Sequence, residues 1–260
     1  MALAACSSQT PTATPGSSAP ADPSPGATKP AATMQPNADA SEATQPPDGD
    51  ATTAPTAQPE QPPQPSAVEP PSPGTYNYTQ DGTTKAGAFT FEDDVQGTLD
   101  VEAADGARQR QTRSYSDQNS VEQTLRFTAG GVYVTRFVSR FFTSTMTCAL
   151  DSPLLVIRNT TEPGSSWKDQ GTCDGRSVVA KGTLLKAERR TVGGATVDTL
   201  KVRLTLTIEG GGLDQTSETT AWVAPDHRLI VRSISHAEGT ADGQSFTQDR
   251  TEDLVSLTPA

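Results

Sequence analysis

TLKVRLTLTIEG, residues 199–210, alternates without a break: Leu200, Val202, Leu204, Leu206 and Ile208 face one way, and Lys201, Arg203, Thr205, Thr207 and Glu209 the other. Successive strand side chains point to opposite faces, so this period of two marks a half-buried β-strand and rules out an amphipathic helix. The stretch before it, GTLLKAERRTVGGATVDTL, sets Gly193 and Gly194 between two strand-like runs, as a tight primed hairpin turn requires when both central residues take positive φ. After it come GGGLD as a turn, TSETTAWVA as a strand, PDHR as a turn and LIVRSISHAEG as a strand. ADGQ and SFTQDRTEDLVSL supply a last turn and strand. The C-terminal half therefore reads as a meander of long antiparallel strands.

Upstream, TYNYTQ, GTLDVEA, ARQRQTRSYS, VEQTLRFTA and GVYVTRFVSRFFTSTMTCAL are strand candidates parted by Asp, Gly and Asn turns. The one helical hint is a capping box between Ser120 and Gln123. The expected fold is all-β, with about ten strands in a large curved antiparallel sheet, because a sheet that size curls or closes into a half-open barrel, a barrel or a sandwich.

This domain is assigned to residues 75–260. Of the chain's 21 prolines, 17 lie between Pro11 and Pro73, in a stretch without aromatic residues and with only Met34 and Val68 as apolar residues larger than alanine. Such a segment cannot bury enough surface to offset its conformational entropy, so residues 7–74 are expected to form a disordered tether. As a flexible coil it would span about 45 Å. The net charge of -11 is spread over both parts and fits no nucleic-acid binder.

At the other end of that tether, Leu3, Ala4, Ala5 and Cys6 resemble the lipobox of bacterial lipoproteins, and residues 1–6 read as the remnant of a signal peptide. A lipobox normally follows charged and apolar leader segments, so a leader longer than Met1 and Ala2 is expected. The resemblance implies lipid on Cys6, anchoring on the outer face of the bacterial cytoplasmic membrane, and membrane contact through acyl chains rather than a protein helix. For an exported chain, Cys148 and Cys173 are expected to form a structural disulfide; a metal pair would lack both CxxC spacing and nearby histidines.

Catalytic chemistry is hard to find. His227 and Asp226 stand next to each other in the APDHRL turn, without a GxSxG elbow, and His236 follows the alternation of its strand. Glu92, Asp93 and Asp94 match no calcium loop. No catalytic residue, metal or cofactor is assigned. The candidate ligand contacts are Tyr133, Phe137, Phe141 and Phe142, which crowd one strand region and suit either a core or an apolar cavity, and Arg108 and Arg110 on one strand face with Arg113 nearby.

GTYNYTQ, GTLDVEAADGARQRQ, TLRFTAGGVYV, PGSSWKDQGTCDG, VGGATVDTLKVRLTLT and WVAPDHRLIVR make residues 74–260 similar to an uncharacterised group of actinobacterial lipoproteins and secreted proteins. The resemblance implies an extracytoplasmic β-rich domain and transfers no active residues. A weaker likeness connects it with half-barrel lipoproteins that carry lipids. The functional expectation is non-enzymatic binding of an apolar or lipid-like ligand or of an envelope protein partner. The alternatives are an envelope hydrolase built around Asp226 and His227, or a structural module.

Overall fold

The structure is a computed structural model and describes residues 69–93, 95–141 and 144–260. The lipobox at Cys6, nearly all of the expected tether, and Phe142 lie outside the described residues. Among the described residues there is no helix, and thirteen strands form one antiparallel sheet. In chain order these are β1 (Gly74–Ala86), β2 (Phe89–Glu92), β3 (Gln96–Val101), β4 (Arg108–Ser116), β5 (Asn119–Thr128), β6 (Gly131–Phe141) and β7 (Ser144–Arg158). They continue with β8 (Ser166–Cys173), β9 (Arg176–Val192), β10 (Ala195–Gly210), β11 (Leu213–Ala224), β12 (Leu229–Ala241) and β13 (Gln244–Leu254).

Neighbours in the sheet are mostly neighbours in sequence, which is what short hairpin turns enforce. The one long-range pairing sets β1 against β13, from Tyr78 opposite Leu254 to Ala86 opposite Phe246, and this joins the first half of the meander to the second. The small β2 folds back on β1. The long run from Gly131 to Leu150 breaks into β6 and β7, and the expected capping box is replaced by strand, with Ser120 and Gln123 both paired within β5.

Turn chemistry follows the sequence closely. Gly193 and Gly194 have φ of 57° and 82°, the two positive values a type I′ hairpin needs, and Asp242 and Gly243 repeat the pattern at 49° and 81°. At β7 the chain uses an edge: Pro153 cannot donate to a ladder, and the pairing of β6 with β7 skips from Arg136–Ala149 to Val134–Leu154, so the proline sits in the skipped stretch.

The sheet rolls into a nearly closed barrel whose two ends are β7 and β8, between which no ladder is formed. Side chains close this seam instead. Cys148 on β7 and Cys173 on β8 are disulfide-bonded, with both residues buried. Asp169 accepts a 2.8 Å hydrogen bond from the Leu155 amide, and the Thr172 hydroxyl donates to Asp151.

Positions facing inward are split in character. On β5 to β10 they are mostly apolar, as with Leu125, Phe127, Val134, Leu184, Val202 and Leu204. On β1, β13, β12 and β11 they include Gln80, Thr84, Gln248, Arg250, Glu252, Ser233, Ser235, Gln215, Ser217 and Thr219, all buried. The barrel thus has an apolar wall and a polar one.

Candidate ligand cavity in the barrel interior

Between these walls lies a cavity of about 130 Å³. Val202 and Leu204 of β10, with Leu184 of β9 and Trp167 of β8, form one side of it, and Leu125, Phe127 and Val134 of β5 and β6 continue the apolar lining. Each of these positions is inward because strand alternation and ladder register place it there: Leu204 pairs with Gly182 on β9, and Gly182 in turn with Trp167. A Cβ on Gly182 would fall about 2.1 Å from the Trp167 ring, so only glycine leaves room for the indole to lie there. The indole Nε1 is buried without a hydrogen-bond partner among the described residues.

The opposite side brings Gln111, Arg113, Tyr115 and Gln123 to the cavity. Behind it is a buried charge cluster. The Arg113 guanidinium stacks 3.6 Å from the Tyr78 ring centre, and its Nη1 lies 3.4 Å from Glu252 Oε1. The Ser233 hydroxyl donates to the other Glu252 oxygen at 2.8 Å. Arg250 stacks 3.4 Å from the Tyr115 ring centre and donates through Nη2 to Asp93 at 2.9 Å. Asp93 also accepts from the Asn119 amide at 3.4 Å.

Two arginines and two carboxylates thus balance one another out of water, the condition under which buried ions are tolerated. Burial alone would push the Glu252 carboxyl up, but the Arg113 and Arg250 guanidiniums and the Ser233 hydroxyl hold it below the usual carboxylate range. Burial, with Glu252 nearby, pushes the Tyr115 phenol up to about 12. Glu252 is therefore ionised and Tyr115 neutral at neutral pH.

The mouth is at one end of the barrel. In an antiparallel meander alternate turns share an end, and the cavity reaches residues of three such turns: Gly131 after the β5–β6 turn, Arg158 to Thr160 after β7, and Pro225 with Arg228 between β11 and β12. A second depression, of about 290 Å³, lies at the opposite end among Thr84, Phe91, Glu92, Ser116, Asp117 and Phe141.

The sequence-assigned residues are dispersed. Phe137 is 3% exposed and belongs to the main apolar core together with Cys148. Phe141 packs edge-on against Phe91, 5.6 Å between ring centres, at the second depression. Tyr133 points outward, half-buried beneath Arg126. Its change of side has a cause in register: the β5–β6 ladder skips Thr135, so Val134 and Val132 take the inward positions that simple alternation from Phe137 would give to Tyr133. Arg108 and Arg110 are exposed on the outer face, where Arg110 pairs with Glu102 at 3.3 Å; Arg113, of the other parity, is the arginine that faces in.

Asp226 and His227 are exposed in their turn, and no side-chain hydrogen bond joins them among the described residues. His236 lies on the outer face with Nδ1 2.7 Å from Asp249 Oδ1, a contact that raises its pKa against a smaller opposing effect of burial. No group of three or more potential metal ligands occurs among the described residues.

No known protein-family model matches the chain, and no curated protein does. Among solved structures the chain is similar to the hypothetical lipoprotein YmcC from Escherichia coli, with 11% identity over 71% of this chain and 85% of that one and a TM-score of 0.31. It is also similar to a putative lipoprotein from Parabacteroides distasonis, with 10% identity over 73% of this chain and 97% of that one and a TM-score of 0.35.

Proposed function

We propose that this chain is a lipoprotein, anchored through lipid on Cys6 to the outer face of the bacterial cytoplasmic membrane, whose barrel binds an apolar or lipid-like ligand without transforming it. The observation that carries the reading is the apolar cavity opening at one end of the barrel. Maintaining such a space has a stability cost, because unfilled volume in an interior forfeits packing contacts. The volume is near that of an engineered apolar cavity of about 150 Å³ that takes a benzene-sized guest, so the enclosed part of the ligand is a short apolar segment, and a longer molecule would continue out through the mouth. The tether of residues 7–74 would give the barrel reach above the membrane surface.

The test is native mass spectrometry and solvent extraction of the full-length chain after export in a bacterial host with a lipoprotein pathway. The reading expects diacylglyceryl mass on Cys6 and a second, noncovalent mass that is lost on extraction. A protein carrying no noncovalent mass, and taking up none from added single-chain amphiphiles, would overturn the ligand reading; an unmodified Cys6 would overturn the anchor.

A further inference from the structure

We infer that the ligand is an anionic amphiphile whose acid group rests at the barrel mouth against Arg158 and Arg228, with its apolar segment in the cavity below. The inference rests on the ligand reading above and adds the chemistry of the head. Three arginines line the cavity, Arg113, Arg158 and Arg228, and no aspartate or glutamate does. In a chain of net charge -11 that is a local reversal of sign.

The three arginines are not equivalent. Arg113 is inside the barrel and its charge is met by Glu252 at 3.4 Å. Arg158 and Arg228 stand at the mouth, and among the described residues neither has a carboxylate within 4 Å. The one side-chain hydrogen bond of Arg158 is a long one, 3.5 Å, to the Ser166 carbonyl. The cavity lining at the end where a ligand would enter therefore carries two arginines and no carboxylate, with apolar walls beneath them.

Arg228 adds a second argument. Its φ is 57°, in the left-handed region that glycine occupies without strain and other residues rarely adopt. The β11–β12 turn would close more easily with glycine at this position, yet it holds a long cation there, over the cavity. Guanidinium groups bind carboxylates and phosphates through paired N–H donors, so two of them at a rim suit a single acidic head.

The experiment is calorimetric titration of the full-length chain, stripped of bound material, with decanoate and with 1-decanol, which share a chain and differ in the charge of the head. Decanoate is expected to bind at least about tenfold more tightly than decanol, an advantage that shrinks as salt is raised. The variant Arg158→Gln/Arg228→Gly should bring decanoate to the affinity of decanol and leave decanol unchanged, with the fold checked by circular dichroism; Arg228→Gly alone should not lower the melting temperature. Equal binding of the two probes by the unmodified chain would overturn the anionic head while leaving the apolar cavity standing. Binding of neither would overturn both.

Discussion

Replacing Cys148 and Cys173 together with alanine should lower the melting temperature by about 7 to 14 °C. The two cysteines are 25 residues apart in sequence, and removing a crosslink of that span frees about 3.5 kcal/mol of chain entropy in the unfolded state. For a domain of this size each kcal/mol moves the melting temperature by about 2 to 4 °C. The effect is concentrated at the seam, because β7 and β8 share no ladder there and, among the described residues, side-chain contacts such as Asp151–Thr172, Asp169–Leu155 and Arg158–Ser166 are left to hold the barrel shut. Differential scanning calorimetry of the oxidised chain and the double variant reads the difference directly. A fall of less than about 2 °C would refute the argument that the crosslink, and not the surrounding packing, closes the barrel.

Three further outcomes follow from the interior. Glu252→Leu should destabilise by about 3 to 5 kcal/mol in urea titrations, because Arg113 is left buried without its counter-charge, and Arg113→Met combined with Glu252→Leu should recover most of that loss; a milder single than double variant would contradict the pairing. The depressed Glu252 pKa means that its stabilising contribution is present above the unfolded carboxyl range, near pH 4.3, and is lost as pH falls through the lower folded value, so urea midpoints should drop in acid more steeply in the unmodified chain than in Glu252→Gln. Gly182→Val should force the Trp167 ring from its seat, visible as a shift in tryptophan emission and a lower melting temperature, whereas Ala187→Val, at an exposed position of the same strand, should do neither.

Much of the architecture was legible because most elements obey local rules. The period of two at Leu200 to Ile208, the paired glycines at 193–194 and the Asp-Gly turn at 242–243 each specify a strand or a hairpin without outside help. Strands were missed where the barrel interior is polar or small. In SWKDQGTC the inward residues are Trp167, Asp169, Gly171 and Cys173, and along β1 beyond Tyr78 they are Gln80, Gly82 and Thr84, so the apolar alternation that betrays a strand is absent.

The site was less legible for a related reason. Arg113 follows the outer-face Arg108 and Arg110 on the same strand, and its inward role depends on strand parity and on Glu252, which the β1–β13 pairing brings close from the far end of the chain. Tyr133 changed sides at a single skipped residue, Thr135, whose hydroxyl donates to the Thr124 carbonyl at 3.1 Å; nothing in the local sequence marks that bulge. The mouth arginines are separated by 70 positions and share a rim only once the meander has stacked its turns at one end.

The most direct test of the account is to fill the cavity. Val202→Trp places a large ring where Val202 and Leu204 now border open space, and binding of decanoate by the unmodified chain and by this variant can be compared in one calorimetric series, with circular dichroism confirming the strand content of both. One saturable site in the unmodified chain, lost in the filled barrel, is the predicted result. Equal binding by both would mean that the ligand sits elsewhere, and the barrel interior would then be no more than the core of the fold.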